Sequence, residues 1–290
     1  MESNKAPPLE TPKEQKLSNF IERFVGYDTA QPGLYHYIDP HGELHATTQL
    51  PPHNSHTHIR LVAISDTHER HELLHLPPGD VLLCLGDILM FNAGYSTETS
   101  TYKLHKFNQW LETTPHQERI LIGGNHDKIL ETLGKTNVSN ILSNCKYICD
   151  EHLMLECGLY VFGTPVSIPN TSNSPNRAFQ YTEAKVETIF QTIDENIDIL
   201  MTHGTLSTLL AAQRFLKKNK NCSYYICGHV HEEHGVMKFD ETTQCINAST
   251  MGNVNNTFQP INPPIVFDIL KSSLNRNRRT ESATECRSNL

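Results

Sequence analysis

Asp80-Val81-Leu82-Leu83-Cys84-Leu85-Gly86-Asp87 decides the fold. An apolar run of strand length ends in a glycine and a carboxylate. Pro77-Pro78-Gly79 breaks the chain just before it, so the run reads as a strand buried on both faces. The pattern recurs on either side. His58-Ile59-Arg60-Leu61-Val62-Ala63-Ile64 leads into Ser65-Asp66-Thr67-His68, and Arg119-Ile120-Leu121-Ile122 leads into Gly123-Gly124-Asn125-His126-Asp127. Later in the chain, residues 197–201 precede Thr202-His203-Gly204, and Tyr224-Tyr225-Ile226-Cys227 runs into Gly228-His229-Val230-His231. In every case a strand-like segment delivers a polar motif at its carboxyl end.

Helical spacing fills the gaps between these runs. Leu104, Phe107 and Leu111 predict a helix over 99–112, and Val186, Ile189, Phe190 and Ile193 predict another. A helix is expected from Asp127 to about Gly134, and one more from Leu206, Leu209 and Leu210 onward. Residues 147–149, 152–157 and 159–163 read as a meander of short strands, and 235–239, 244–247 and 265–270 as further strands with no helices between. Early alternation predicts a βαβ core and the later strands add antiparallel pairs, so the class is mixed α/β. We expect a tail over 1–20 that is polar and disordered, an irregular extension over 21–57 lying on the domain surface, one domain over 58–270, and a polar basic tail over 271–290. The histidines His36, His41, His45, His53, His56 and His58 in the extension are irregularly spaced, which suits solvated or packing roles better than a metal tract.

With 290 residues the chain can bury a core without staples. Its net charge of −8 argues against a general binder of long nucleic acid, which needs a basic face. No apolar run reaches the ~18 residues of a membrane span, and the first residues lack the apolar stretch of a signal peptide. A cytoplasmic location is therefore expected. Cys84, Cys157, Cys222 and Cys227 lie in or beside apolar runs and read as small hydrophobes rather than disulfide partners.

In α/β sheets, ligands gather beyond the carboxyl ends of strands. The five motifs can therefore converge although 165 positions separate Asp66 from His231. Their donors are Asp66, His68, Asp87, Asn125, His203, His229 and His231. Imidazole with carboxylate and no thiolate suits zinc, iron or manganese. Seven donors are too many for one tetrahedral ion and about right for two ions sharing a carboxylate. A pair of ions ~3.5–4 Å apart clamps the attacking and departing oxygens of a phosphoester.

The set Asp66-x-His68, Gly86-Asp87, Gly124-Asn125-His126-Asp127, His203 and Gly228-His229-x-His231 resembles the calcineurin-like metallophosphoesterase superfamily over residues 58–270. Ser65-Asp66-Thr67-His68, Phe162-Gly163-Thr164-Pro165 and Cys227-Gly228-His229-Val230-His231 look most like its metallophosphoesterase-domain-containing group, whose members act on cyclic nucleotides and simple diesters. The resemblance implies two mixed β-sheets sandwiched between helical layers. It implies two divalent or trivalent ions (Mn, Fe or Zn). Asp66, His68 and His231 would hold one ion, Asn125, His203 and His229 the other, and Asp87 both. His126 would lie near the leaving oxygen.

The expected function is hydrolysis of a small phosphodiester, a cyclic nucleotide among the candidates, by in-line attack of water with His126 donating the proton. Asp127 either orients His126 or caps the following helix. Asn125 and His126 also face the substrate. Arg177 either clamps a phosphate oxygen or is a solvated side chain, and Asn176, Phe179, Asn92 and Tyr95 are further candidates for contact. Three rivals remain: a phosphomonoesterase or protein phosphatase using the same site, a metal-binding scaffold with little turnover, and, poorest because of the acidic balance and the lack of a separate capping domain, a nuclease on long DNA or RNA.

Overall fold

The computed structural model describes residues 33–90, 95–169, 174–254 and 257–274. The expected tail over 1–20, most of the basic tail and Asn92 lie outside the described residues. The three runs that opened the sequence reading become β3 (His58–Ile64), β4 (Gly79–Cys84) and β5 (His116–Leu121), paired in parallel as β3-β4-β5. They lie within a seven-stranded sheet whose order is β2 (Leu44–Thr47), β1 (Tyr35–Ile38), β15 (Ile265–Leu270), β3, β4, β5, β6 (Lys146–Tyr147). A second, six-stranded sheet has the order β11 (Gly235–Lys238), β12 (Gln244–Asn247), β10, β9, β8, β7 (Glu151–Met154). Its central strands are β8 (Tyr160–Thr164), β9 (Ile199–Thr202) and β10 (Tyr224–Cys227), again parallel.

Alternation along the strands sorts the core into three layers. Leu61, Ala63, Leu83 and Ile120 point one way and meet Val161, Ile199, Met201 and Ile226 of the other sheet. Their neighbours Val62, Ile64, Leu82 and Leu121 point outward under helices α1 (Thr97–Thr113) and α2 (Lys128–Ile141). On the far side Phe162, Leu200 and Tyr225 lie under α3 (Glu183–Phe190) and α4 (Leu210–Lys218). The order is helices, sheet, sheet, helices. Strands buried on both faces must be apolar at nearly every position, which is why these runs stand out in the sequence.

Several local expectations differ from the structure. Residues 35–47 are not irregular: β1 (Tyr35–Ile38) joins the sheet parallel to β15 (Ile265–Leu270), and β2 (Leu44–Thr47) pairs antiparallel at its edge. The meander is split, since β6 (Lys146–Tyr147) extends the first sheet while β7 (Glu151–Met154) and β8 belong to the second. The first helical segment of α2 does end at Gly134, where φ is +71° and ψ 164°, but a second segment that the sequence did not suggest follows it directly to Ile141. Leu206 and Leu209 precede α4 rather than starting it. After β11 (Gly235–Lys238) and β12 (Gln244–Asn247), a two-stranded ribbon of β13 (Met251–Val254) and β14 (Thr257–Pro260) had no counterpart in the sequence reading.

Candidate metal centre

The loops after β3, β4 and β5 meet those after β9 and β10 at one edge of the paired sheets. Three groups of donor atoms form there: Asp66, His68 and His231; His68, Asp87 and His126; Asp87, His203 and His229. Within each group the ligand atoms lie within 4.8 Å of one another. His231 Nε2 is 3.3 Å from Asp66 Oδ1 and 3.4 Å from His68 Nε2. His203 Nε2 is 3.3 Å from Asp87 Oδ2 and 3.0 Å from Asn125 Oδ1. All seven expected donors are thus brought together, with His126 Nε2 beside them, 4.0 Å from Asp87 Oδ2.

Backbone carbonyls set the imidazoles. His68 Nδ1 donates to Leu89 at 2.9 Å, His203 Nδ1 to Leu85 at 2.8 Å and His229 Nε2 to Ile168 at 3.0 Å. In each ring one nitrogen is committed as a donor to a carbonyl, so the other is the nitrogen that faces the cluster. The carboxylates are fixed on one oxygen only. Asp66 Oδ2 accepts from the His229 amide at 2.9 Å and Ser249 Oγ at 2.8 Å, while Asp87 Oδ1 accepts from the His126 amide at 2.8 Å. Asp66 Oδ1 is buried and meets no hydrogen-bond donor among the described residues. A buried carboxylate oxygen that lies among imidazole nitrogens with no aligned donor is a costly arrangement for protein alone and an ordinary one around a cation. The donor chemistry therefore fits metal.

Strain marks the same loops. Among the described residues seven non-glycine residues have positive φ, and four are expected donors: Asp66 (+53°), His68 (+41°), Asp87 (+52°) and His229 (+72°). Such conformations cost of order 1–3 kcal/mol each and cluster at functional sites. Close approach explains two glycines here. A Cβ at Gly124 falls 2.2 Å from Asp87 Oδ1, and one at Gly228 falls 2.4 Å from Asp66 Oδ2.

Charge within the cluster is sorted by partner. Burial alone pushes the Asp66 carboxyl up, but the charge of the neighbouring His231, His203 and His68 imidazoles holds it well below the carboxylate range. Asp87 is likewise held low, against its burial, mainly by His203 and His126. Burial pushes His68 and His229 down to about 4, which leaves both neutral at pH 7, the form a ligand needs. His203 is also buried, yet the Asp87 carboxylate lifts it to about 9.

Asp127 differs from both roles expected of it. Its carboxylate neither touches His126 nor caps α2 through its side chain. Instead it accepts from the backbone N–H groups of Gly124 at 2.9 Å, Leu89 at 3.0 Å and Ile88 at 3.4 Å. It ties the loop after β5 to the loop after β4, and burial beside Asp87 pushes its pKa up to about 7.

Arg177 is exposed and donates through Nε to the Ser174 carbonyl at 2.9 Å. Its neighbour Asn176 is the residue that enters the site. The Asn176 side-chain amide is 3.1 Å from His126 Nε2, and its backbone carbonyl accepts from Asn125 Nδ2 at 3.2 Å. Phe179 is 3% exposed in the core under α2, so it offers no face for stacking. Tyr95 lies beneath the Lys103 ammonium at 4.5 Å. Of the extension histidines, His45 and His53 pair with Asp39 and Asp80, and none belongs to a donor group. Ser249 was missed by the sequence reading. Its only signal was position: it follows β12, which is parallel to β10, so its loop falls at the same edge.

Comparisons with known proteins agree with this geometry. Residues 59–233 match the calcineurin-like phosphoesterase family. A UPF0046 protein of Caenorhabditis elegans is 32% identical over 244 residues, covering 73% of this chain and 81% of that protein. Metallophosphoesterase domain-containing protein 1 of Homo sapiens is 30% identical over 250 residues, covering 73% and 71%. A solved crystal structure superposes with a TM-score of 0.54 at 12% identity, covering 75% of this chain and 97% of that one, a likeness of fold alone. With the match spanning more than half of its length and bracketing all five motifs, the chain belongs to the calcineurin-like phosphoesterase family.

Proposed function

We propose that this phosphoesterase-family protein is a metal-dependent phosphodiesterase acting on small diesters, cyclic nucleotides among them. Asp66, His68 and His231 would hold one ion and Asn125, His203 and His229 the other, with Asp87 shared. The observation that carries this reading is the sharing itself. Asp87 stands in one donor group with His203 and His229 and in another with His68, which in turn groups with Asp66 and His231. The absence of thiolate favours manganese, iron or zinc.

Ions held by these residues would supply positive charge for the phosphoryl oxygens and would lower the pKa of a water. The chain supplies the rest. Neutral His68 and His229 keep their lone pairs directed inward. His126 donates its Nδ1 proton to the Met90 carbonyl, so Nε2 is the nitrogen that faces the site. A proton carried on Nε2 goes to the departing alkoxide oxygen. The Asn176 side-chain amide lies 3.1 Å from that nitrogen and would neighbour the departing oxygen.

Metal analysis of the purified protein, followed by turnover of cyclic nucleotides, linear diesters and monoesters with added manganese, tests the reading. Two ions per chain and faster diester than monoester hydrolysis are expected. Faster monoester hydrolysis would favour the phosphatase rival. Metal without turnover of any natural nucleotide above that of simple esters would favour the scaffold.

A further inference from the structure

The loops after β3 and β4 are zipped together rung by rung. Asp66 N–H donates to Gly86 O at 3.0 Å, His68 N–H to Asp87 O at 3.0 Å and Glu69 N–H to Ile88 O at 2.9 Å. His68 Nδ1 then reaches Leu89 O. The last rung is a side chain: Glu69 Oε1 accepts the Met90 N–H at 3.1 Å. Met90 is also the residue whose carbonyl accepts the Nδ1 proton of His126 at 2.5 Å. The other Glu69 oxygen, Oε2, is held by the Lys103 ammonium from α1.

A Lys–Glu pair of this exposure, 26% and 22%, is ordinarily worth little to stability. Here the two carboxylate oxygens are divided between different tasks. Lys103 restrains Glu69, Glu69 restrains Met90, and Met90 selects the nitrogen of His126 that carries the fixed proton. Both His68 and Glu69 have positive φ, at +41° and +63°, so the turn that aims Glu69 at Met90 is strained and held by the rungs around it.

We propose that Glu69 and Lys103 are positioning residues for His126, fixing its tautomer through Met90 so that Nε2 faces the reacting phosphoester. The proposal rests on the reading of His126 as proton donor, and its test includes an arm that needs no catalysis.

Long-range proton–nitrogen correlation spectra of the metal-free protein report which imidazole nitrogen of His126 is protonated, with His126→Gln identifying its signal. Wild type should show the Nδ1–H form. Glu69→Ala should show a mixture of the two tautomers. Glu69→Gln, whose side-chain oxygen still accepts from Met90, should restore the Nδ1–H form. Lys103→Met, on a helix surface, should give a smaller shift in the direction of Glu69→Ala and guards against failure of the alanine variant to fold.

In the metal-loaded protein, Glu69→Ala should lower kcat about tenfold or more on a diester with an alkyl leaving group and less than about twofold on a nitrophenyl diester. KM and metal content should stay unchanged. A wild-type tautomer in both Glu69→Ala and Lys103→Met overturns the proposal. So does equal loss on both esters, or absence of rescue by glutamine. If wild type turns over no ester at all, the phosphodiesterase reading falls while the spectra still decide the positioning.

Discussion

Asp87 is the residue on which both halves of the proposed centre depend. Its Oδ2 lies 3.3 Å from His203 and 4.0 Å from His126, while Oδ1 is pinned by the His126 amide. Asp87→Ala removes the shared donor and leaves His203 without the carboxylate 3.3 Å from its Nε2. We expect loss of both ions and of nearly all hydrolysis; retention of two ions per chain by elemental analysis would refute the bridging role. His126 behaves differently because it is no ligand of either proposed ion. His126→Ala should keep both ions and lose about 10²–10⁴ in rate on esters with poor leaving groups, with a much smaller loss when the leaving group needs no proton. A uniform loss across leaving groups would argue that His126 only positions substrate.

The elements converge because short connections let backbones touch. Gly124 and Gly134 make an informative pair. An added Cβ at Gly124 meets the Asp87 backbone nitrogen at 2.4 Å and its carboxylate at 2.2 Å, whereas at Gly134 it meets nothing within 4 Å and strains only φ. Gly124→Ala should therefore empty the centre, because backbone cannot give way cheaply. Gly134→Ala should cost about 1–3 kcal/mol in unfolding free energy and leave metal content intact. Metal content of the two variants separates the cases, and equal occupancy would show that the loops after β4 and β5 tolerate separation. These same loops show what a sequence can reveal. Donor identities were legible because each motif follows a doubly buried strand, and a run such as 81–85 admits few other readings. The partners of those donors were not legible. Leu85, Leu89, Met90 and Ile168 act through carbonyl oxygens, which every residue has. Asp127 was misread because a carboxylate before a helix suggests a cap, while its geometry serves three N–H groups elsewhere.

At the scale of the molecule, the sheets are closed by contacts that no periodicity announces. β1 carries only one short apolar stretch, Tyr37-Ile38, yet it pairs in parallel with β15 across 229 positions, His36 opposite Ile265. It also brings His36 Nδ1 within 2.9 Å of His234 Nε2, just beyond the loop of His231. One ring must donate and the other accept, so the pair is stable only when at least one is neutral. Burial lowers His36 to about 4, and burial together with His36 lowers His234 to about 3. In the unfolded chain both return to about 6.5. The sign follows from linkage. Above pH 6.5 neither state binds these protons and stability is full. As pH falls below 6.5 the unfolded chain takes up protons that the folded pair refuses, and stability is lost down to about pH 4 for His36 and about pH 3 for His234. Each group removes about 1.4 kcal/mol per pH unit within its window. Other buried histidines and the site carboxylates add to the total, so a difference isolates the pair. His36→Gln keeps a donor for His234 Nε2 and removes one titrating group. Between pH 7.5 and 5.0 the metal-free wild type should lose about 1–2 kcal/mol more than His36→Gln in urea unfolding free energy. Parallel losses in the two proteins would mean that the ring on β1 takes up its proton as readily folded as unfolded, and that β1 is not closed over His234 in solution.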